Sequence, residues 1–235
     1  MVKESTMQKS PERYIKPLVS LKVEEFFSFL EPVDNGRQVL DAGCGEQPFR
    51  QLIEKKGMVY NSLDVAQNRS RNVDYLAAID KPLPDEVPLN QFDVILCTEV
   101  LEHVANWEQA FENFQKLLRP GGVMIITTPF FYFLHEEPFD YWRPTPFALE
   151  HFAQRHSLRV SDVQKLGTGW DVLGTFLEVS FMERTQNAGV FGAFVFKLTR
   201  FFLSKVRGYL VQGRLQNISS LQSPFFHSVF VVLQK

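Results

Sequence analysis

The sequence predicts an α/β fold built on a doubly wound, mostly parallel, seven-stranded sheet. Short apolar runs typical of buried strands alternate with segments of helical periodicity along most of the chain. A glycine turn directly follows the first strand, as in the βα units of such sheets. We expect the 235 residues to form one domain, with a helical lead-in at 1–34 and a helical insertion at about 168–222, before the last strand.

The elements follow in a regular order. Apolar runs predict strands at 38–41, 58–63, 75–79, 92–97, 123–128, 158–163 and 228–233. Helical spacing predicts helices at 18–30, after Phe49, at 107–118 and at 146–155. Turn residues at 32–36 end the lead-in helix, and the Arg-Pro-Gly-Gly segment at 119–122 is expected to end the helix before the fifth strand.

Composition excludes several classes of protein. Apolar residues make up 45% and charged residues 22%, as in soluble globular proteins. The net charge of −2 gives no overall basic field, so no nucleic-acid partner is expected. Two cysteines, Cys44 and Cys97, are too few to crosslink a chain of this length, which favours a reducing compartment, and they lack the C-x-x-C spacing of zinc or redox sites. With no secretory apolar segment near the start and no long uncharged apolar run, the predicted location is the cytoplasm.

Charge is distributed unevenly along the chain. All 27 acidic residues lie at or before Glu183, while seven of the 25 lysines and arginines follow it, which gives −9 before this boundary and +7 after it. Within 190–212, Lys197, Arg200 and Arg207 share one side of a helix whose other sides are rich in phenylalanine. This composition is compatible with peripheral membrane contact. A lid or a homodimer helix whose apolar face packs against protein is the more frequent solution, and both interpretations stay open.

Residues that end strands are the first candidates for ligand binding, because ligands of open parallel sheets bind beyond the carboxyl ends of the strands. Gly43 and Gly45 allow the backbone to approach a ligand closely. Asp64 ends the second strand and can accept hydrogen bonds from a ribose diol. Pro48 replaces the third glycine of a dinucleotide fingerprint, which disfavours nicotinamide or flavin. The pattern therefore predicts a nucleoside ligand.

Four ordered motifs resemble those of class I S-adenosylmethionine-dependent methyltransferases, in the small-molecule branch. They are Val39-Leu40-Asp41-Ala42-Gly43-Cys44-Gly45, Leu63-Asp64-Val65, the stretch from Phe92 to Val104, and Leu117-Leu118-Arg119-Pro120-Gly121-Gly122. The resemblance covers roughly 35–165 and implies a Rossmann-like fold with S-adenosylmethionine as cofactor. It implies cofactor-binding roles for Asp41, Gly43, Gly45, Asp64, Val65, Ile79, Asp80, Thr98 and Glu99.

The third strand departs from the family pattern. Many relatives carry Asp at its end, where this chain has Ala78-Ile79 and places Asp80 later. Either Asp80 or the Ile79 backbone is then expected to contact the adenine.

The methyl acceptor is expected above strands four and five. His135 is a candidate general base, and Asp140 and Arg143 are candidates for orienting a polar acceptor. Alternatively, Arg143 pairs with a carboxylate to close the loop. His103 is a second candidate base, or it caps the following helix or binds backbone. No set of His, Cys, Asp and Glu has metal-ligand spacing, so a metal is not expected.

The predicted function is methyl transfer to a small-molecule, saccharide or lipid-linked acceptor, on oxygen, nitrogen or carbon. Two alternatives stay open. The first is a non-catalytic cofactor-binding or partner subunit of the same fold, since methyl transfer requires no diagnostic side chain. The second is a nucleotide-sugar or NAD enzyme on a related sheet, which Pro48 disfavours.

Overall fold

The computed structural model describes residues 15–30, 36–179, 189–211 and 225–235. Contacts divide the chain into two compact units. The first unit comprises 21–166 with 228–235, and the second comprises 1–20 with 167–227. Each unit is treated by itself below.

The first unit is organised around a seven-stranded sheet. Its strands are β1 (Gln38–Ala42), β2 (Val59–Asp64), β3 (Tyr75–Leu76), β4 (Phe92–Thr98), β5 (Leu118–Pro129), β6 (Arg159–Leu166) and β7 (Ser228–Gln234). Their order is β3-β2-β1-β4-β5-β7-β6. Strands β1 to β5 are parallel, whereas β7 runs antiparallel to both β5 and β6. The predicted mostly parallel sheet is therefore confirmed.

The strand order reverses between β1 and β4, where ligands of such sheets bind. Strand β4 is buried from Phe92 to Cys97, as its apolar sequence predicts for a strand covered on both faces. Asp93 lies within this run, where its carboxylate accepts a hydrogen bond from the Gln38 amide at 2.8 Å and pairs with Arg119. The two central strands are thus joined by a side chain as well as by their backbones.

Helices flank the strands as the periodicity predicts. They are α1 (Ile15–Ser28), α2 (Arg50–Lys55), α3 (Trp107–Leu117) and α4 (Pro146–Arg155). Asn106 caps α3 by accepting from the Gln109 amide, and Thr145 caps α4 by accepting from the Ala148 amide. Of the predicted lead-in, 1–14 and 31–34 lie outside the described residues.

Helix α3 ends at Leu117, as expected, but the segment at 119–122 is not a turn before the fifth strand. Strand β5 begins at Leu118, directly after α3, and continues through this segment. Leu118 pairs with Phe92 of β4, while Gly121 and Gly122 exchange backbone hydrogen bonds with Lys235. Pairing on both sides holds the segment in the sheet. The proline and glycines are accommodated by a register shift between Phe92 and Val94 and by a positive φ at Gly121.

The second unit contains α5 (Gly169–Val179) and α6 (Val190–Val211), which pack against each other. Asp171 caps α5 by accepting from the Thr168 amide at 2.7 Å and from its hydroxyl at 2.8 Å. Residues 180–188 and 212–222 of the predicted insertion lie outside the described residues. Within the described part of the chain, no helix combines the length and the apolar character needed to cross a membrane.

Candidate active site

The glycine turn is tied to the end of the neighbouring strand. The amides of Gly43 and Cys44 donate to the Leu63 carbonyl at 2.8 and 3.2 Å. The Gly45 amide donates to Asp64 Oδ2 at 2.9 Å. The structure therefore brings together the turn and the strand-end acid that the sequence predicts, although 19 residues separate Gly45 from Asp64.

The two glycines of the turn have different surroundings. Both have positive φ, +78° at Gly43 and +48° at Gly45. A Cβ at Gly43 would lie 2.3 Å from a Val100 methyl group, whereas a Cβ at Gly45 would meet nothing within 4 Å. Gly43 is therefore required by internal packing. Gly45 borders open space beside the Asp64 carboxylate, an arrangement that fits the ribose end of a nucleoside cofactor.

Asp41 is 1% exposed and accepts a hydrogen bond from the Tyr60 hydroxyl at 2.6 Å. Burial raises its pKa to about 7, an effect that the Tyr60 hydrogen bond opposes and the Asp64 charge reinforces. Among the described residues, the Asp41 side chain therefore contacts the protein interior. The expected cofactor role of Asp41 stays a prediction.

The residues expected to contact the adenine do not lie at a strand end. Strand β3 stops at Leu76, and Ile79 lies in the turn that follows. Ile79 is 6% exposed, and its carbonyl accepts from the Asn113 side-chain amide at 2.6 Å. Asp80 is half-buried, while Val65 is 73% exposed. Sequence reasoning missed Asn113, a polar residue on the buried stripe of α3.

Thr98, which ends β4, is half-buried, and two carboxylates follow it closely. Glu99 has a φ of +53°, and its amide donates to the Thr127 carbonyl at 2.9 Å. Its Oε1 atom is buried, and burial raises the pKa of Glu99 to about 7 against the opposing effects of Thr127 and Arg143. Glu102 is 1% exposed, and burial together with the Glu99 charge raises its pKa well above the ordinary value.

The loop after β5 is closed by an ion pair. Arg143 donates to both carboxylate oxygens of Asp140 at 2.6 and 2.7 Å. It also donates to the carbonyls of Tyr132 and Phe133 at 3.2 and 2.9 Å. Burial opposes ionisation of Asp140, but the hydrogen bonds from Arg143 and the His135 amide outweigh it and lower the pKa to about 2. This is the loop-closing pair that the sequence leaves as an alternative; acceptor binding by Asp140 and Arg143 stays a prediction.

The two candidate histidines lie side by side. The His103 and His135 rings meet edge to face, with centroids 4.7 Å apart. His103 Nδ1 lies 3.0 Å from the Phe139 carbonyl, and His103 Nε2 lies 3.8 Å from Glu102 Oε1. Burial lowers the pKa of His135, and the charge of Asp140 partly offsets this lowering. The sequence predicts the two histidines separately but misses their meeting with Glu102, because the loop that joins them has no periodic pattern.

Comparison with known proteins defines the class of this protein. Residues 12–161, more than half of the chain, match a family described as a methyltransferase domain. The chain therefore belongs to this family of methyltransferase domains. S-adenosylmethionine is the cofactor that the family and its structural neighbours indicate.

Similar curated proteins include ubiquinone biosynthesis O-methyltransferases. Those of Idiomarina loihiensis and Rickettsia prowazekii are each 30% identical, over 104 and 102 residues. These matches cover 40% and 39% of this chain and 42% and 39% of the two relatives, so the chain spans about two fifths of the curated relatives that it matches.

Solved structures share the fold. A SAM-dependent methyltransferase from Archaeoglobus fulgidus has a TM-score of 0.56 at 16% identity, covering 95% of this chain and 97% of that one. The 1,6-didemethyltoxoflavin-N1-methyltransferase of Burkholderia thailandensis has a TM-score of 0.53 at 13% identity, covering 96% and 79%. At these identities the likeness describes the fold.

Proposed function

We propose that this protein transfers a methyl group from S-adenosylmethionine to a hydroxyl oxygen of a small, hydrophobic acceptor. The cofactor would supply an electrophilic methyl group. Asp64 would hold the ribose, and the open backbone at Gly45 would allow close approach to the cofactor. Support for oxygen as the accepting atom comes from the curated relatives, which are named as O-methyltransferases.

The observation that carries the acceptor assignment is the convergence of Glu102, His103 and His135. One potential ligand atom from each residue lies within 4.8 Å of the others. Lone pairs on imidazole nitrogens and carboxylate oxygens accept hydrogen bonds from a hydroxyl group and can receive its proton. The three residues follow β4 and β5, at the edge of the sheet where the cofactor binds in this fold.

Methyl transfer with labelled S-adenosylmethionine tests the assignment. A panel of hydroxylated aromatic compounds is compared with the corresponding amines, and the products are identified by mass. We expect transfer to hydroxyl compounds and a loss of about 10²–10⁴-fold in turnover for His135→Ala, with cofactor binding retained. His151→Ala is the matched control, because His151 is exposed on α4. Transfer to amines alone would contradict the proposal.

The surface of α6 supports a hydrophobic acceptor delivered by a membrane. Successive residues of a helix are rotated by about 100° around its axis, which places seven exposed apolar side chains of α6 within a sector of about 140°. They are Phe191, Phe194, Val195, Leu198, Phe201, Phe202 and Val206. The side of α6 at Thr199 and Leu203 is less exposed. The helix therefore leaves a broad apolar face uncovered by the described residues, and that face is the proposed membrane contact.

The positive charge of α6 favours an anionic lipid surface as the partner of its apolar face. Lys197 borders the apolar face, Lys205 lies within it, and both are exposed. No acidic residue follows Glu183, so a homodimer through α6 would bring cations together without local counter-charges. Anionic lipid offers both an apolar layer and the missing charge.

Vesicle co-sedimentation of the full chain tests membrane contact. Binding is expected with phosphatidylglycerol vesicles at low salt, decreasing as salt screens the attraction. Phe194→Ser with Phe201→Ser should weaken it, whereas Phe147→Ser on α4 should not, because Phe147 is similarly exposed but lies outside α6. Lys197→Glu should also weaken binding, with Lys55→Glu as control. A dimer that Phe194→Ser dissociates, with no vesicle binding, would instead favour the homodimer.

A further inference from the structure

The Arg143 side chain uses all of its N–H groups within the loop after β5. Nη1 donates to Asp140 Oδ1 at 2.6 Å and to the Trp142 carbonyl at 2.7 Å. Nη2 donates to Asp140 Oδ2 at 2.7 Å and to the Phe133 carbonyl at 2.9 Å. Nε donates to the Tyr132 carbonyl at 3.2 Å. Each hydrogen of the guanidinium therefore has an acceptor, and none is left to donate elsewhere.

These hydrogen bonds determine which nitrogen of the His135 ring carries the proton. His135 Nδ1 lies 3.2 Å from the Phe133 carbonyl and 3.2 Å from Asp140 Oδ2, and a carbonyl or an ionised carboxylate can only accept. Arg143 Nη2 is a donor 3.5 Å from Nδ1, but both of its hydrogens are already bonded, to Phe133 and to Asp140. Nδ1 is therefore protonated in the neutral ring, and the lone pair is on Nε2.

The Asp140 carboxylate holds both the backbone and the ring of His135. Its Oδ2 atom accepts from the His135 amide at 2.9 Å. Burial opposes ionisation of Asp140, but the hydrogen bonds from Arg143 and the His135 amide lower its pKa to about 2, so it is an anion at neutral pH. The two nitrogens of an imidazole face different directions, and Nε2 therefore points away from this carboxylate. On another side, the His135 ring packs edge to face against His103.

We propose that Asp140 is a positioning residue that keeps the proton of His135 on Nδ1, so that Nε2 can accept the proton of an acceptor hydroxyl. Asp140 acts in two ways. It accepts beside Nδ1, and it occupies the Arg143 Nη2 hydrogen that would otherwise donate to Nδ1. A carboxylate sets the tautomer and orientation of the histidine base in hydrolytic triads by the same logic. In water a neutral histidine side chain prefers its proton on Nε2, so the other tautomer has to be enforced by the protein.

The use of this lone pair in catalysis rests on the proposed function. The hydroxyl proton passes to His135 Nε2 as the hydroxyl oxygen forms a C–O bond with the methyl carbon. The S–C bond breaks with its electron pair remaining on sulfur, so no oxidant or reductant is needed. His135 then carries a positive charge, which the Asp140 carboxylate 3.2 Å from Nδ1 stabilises until the proton leaves to solvent. The tautomer of the resting protein does not depend on this step.

Nuclear magnetic resonance of the full chain, with nitrogen-15 in the histidine rings, measures the tautomer without an acceptor. At about pH 8 histidine side chains are neutral, and a protonated ring nitrogen differs in chemical shift from one with a lone pair. We expect the wild type to carry its His135 proton on Nδ1. Asp140→Ala should move it to Nε2, because the freed hydrogen of Arg143 Nη2 then donates to Nδ1. Asp140→Asn should keep it on Nδ1, because an amide oxygen in place of Oδ2 still accepts from Arg143 Nη2.

The same spectra contain an internal reference. His103 Nδ1 lies 3.0 Å from the Phe139 carbonyl, so the tautomer of His103 should be the same in every variant. His135→Gln assigns the His135 signals by their loss. Glu137→Ala is the matched control, because it removes an exposed carboxylate from the same loop and should leave the His135 tautomer unchanged. Cofactor binding by each variant confirms that it is folded.

Methyl-transfer kinetics separate failure of this inference from failure of the proposed function. With a hydroxyl acceptor, Asp140→Ala should lower kcat by about 10²–10⁴-fold with little change in the acceptor KM, and Asp140→Asn should lower kcat less. A proton on Nε2 in the wild type, or on Nδ1 in Asp140→Ala, would overturn the inference. Hydroxyl transfer at full rate by Asp140→Ala would also overturn it, while retaining the proposed function. The expected tautomers with transfer to amines alone would retain the positioning by Asp140 and exclude the proposed acceptor.

Discussion

Replacing Gly43 by alanine should destabilise the first unit through one defined clash. The new Cβ would lie 2.3 and 2.8 Å from the two methyl groups of Val100, distances that require a backbone or side chain to move. The positive φ adds strain of about 1–2 kcal/mol for an L side chain. Overpacking typically adds about 1–3 kcal/mol. We therefore expect Gly43→Ala to lower the free energy of unfolding by about 2–5 kcal/mol.

Two further substitutions separate the clash from the strain. Gly45→Ala also has a positive φ, but its Cβ meets nothing within 4 Å, so only about 1–2 kcal/mol of strain is expected. Val100→Ala removes the methyl groups that clash and should cost about 1.5 kcal/mol by itself. In the double variant Gly43→Ala with Val100→Ala the clash is absent. Its destabilisation should be smaller than the sum of the single effects by about 1–3 kcal/mol.

Urea unfolding measures the free energy of unfolding of the three single variants and of the double variant, each against wild type. Trp107 and Trp142 lie in the first unit and Trp170 in the second, so a Trp170→Phe background makes tryptophan fluorescence report the unit that contains Gly43. Equal destabilisation by Gly43→Ala and Gly45→Ala would refute the clash. Additive effects of Gly43→Ala and Val100→Ala would refute the assignment of Val100 as its cause.

Three other changes probe the cofactor site, the packing beside it and the second unit. Asp64→Ala should weaken S-adenosylmethionine binding at least about tenfold in calorimetry, because charge-assisted hydrogen bonds are lost; affinity equal to that of Glu46→Ala would contradict this. Asn113→Ala should cost about 1–3 kcal/mol in urea unfolding, since the buried carbonyl of Ile79 and the partly buried carbonyl of Lys81 lose their donor, and a neutral effect would disprove it. Burial lowers the pKa of His227 to about 4, against the opposing charge of Asp171, so the unfolded chain takes up a proton first as pH falls. The contribution of His227 to the free energy of unfolding of the second unit is then fully present above pH 6.5. It decreases by up to about 3 kcal/mol toward pH 4, and His227→Asn should flatten that pH dependence.

The meeting of the glycine turn with Asp64, which we propose to bind the cofactor, is predictable because its signals are local. Gly43, Gly45 and Asp64 each end or follow a strand, and adjacent parallel strands bring their carboxyl ends to one edge. The 2.9 Å hydrogen bond between Gly45 and Asp64 is a direct result of that pairing. The direction and order of the strands place these three residues close together, whatever the packing of the surrounding side chains.

Errors occur where pairing overrides local preference. The Pro-Gly-Gly segment at 120–122 has strong turn propensity, yet the pairing of Leu118 with β4 and the backbone hydrogen bonds to Lys235, directly after β7, hold it within β5. Ile79 lies in an apolar run that suggests a longer third strand, but β3 pairs with β2 only at Tyr75 and Leu76. At Ile79 the backbone bonds to a side chain from α3 instead. Such tertiary partners leave no periodic signal in the sequence.

The proposed acceptor site depends on a loop whose shape is held by hydrogen bonds to backbone carbonyls. Arg143 gathers Asp140 and the carbonyls of Tyr132 and Phe133 around one guanidinium, and the Asp140 carboxylate in turn accepts from the His135 amide. This arrangement orients His135 toward residues that follow β4. Carbonyl acceptors are present at every position of any sequence, so spacing cannot identify which ones are used. The histidines can therefore be predicted one by one, whereas their convergence with Glu102 follows only from the folded loop.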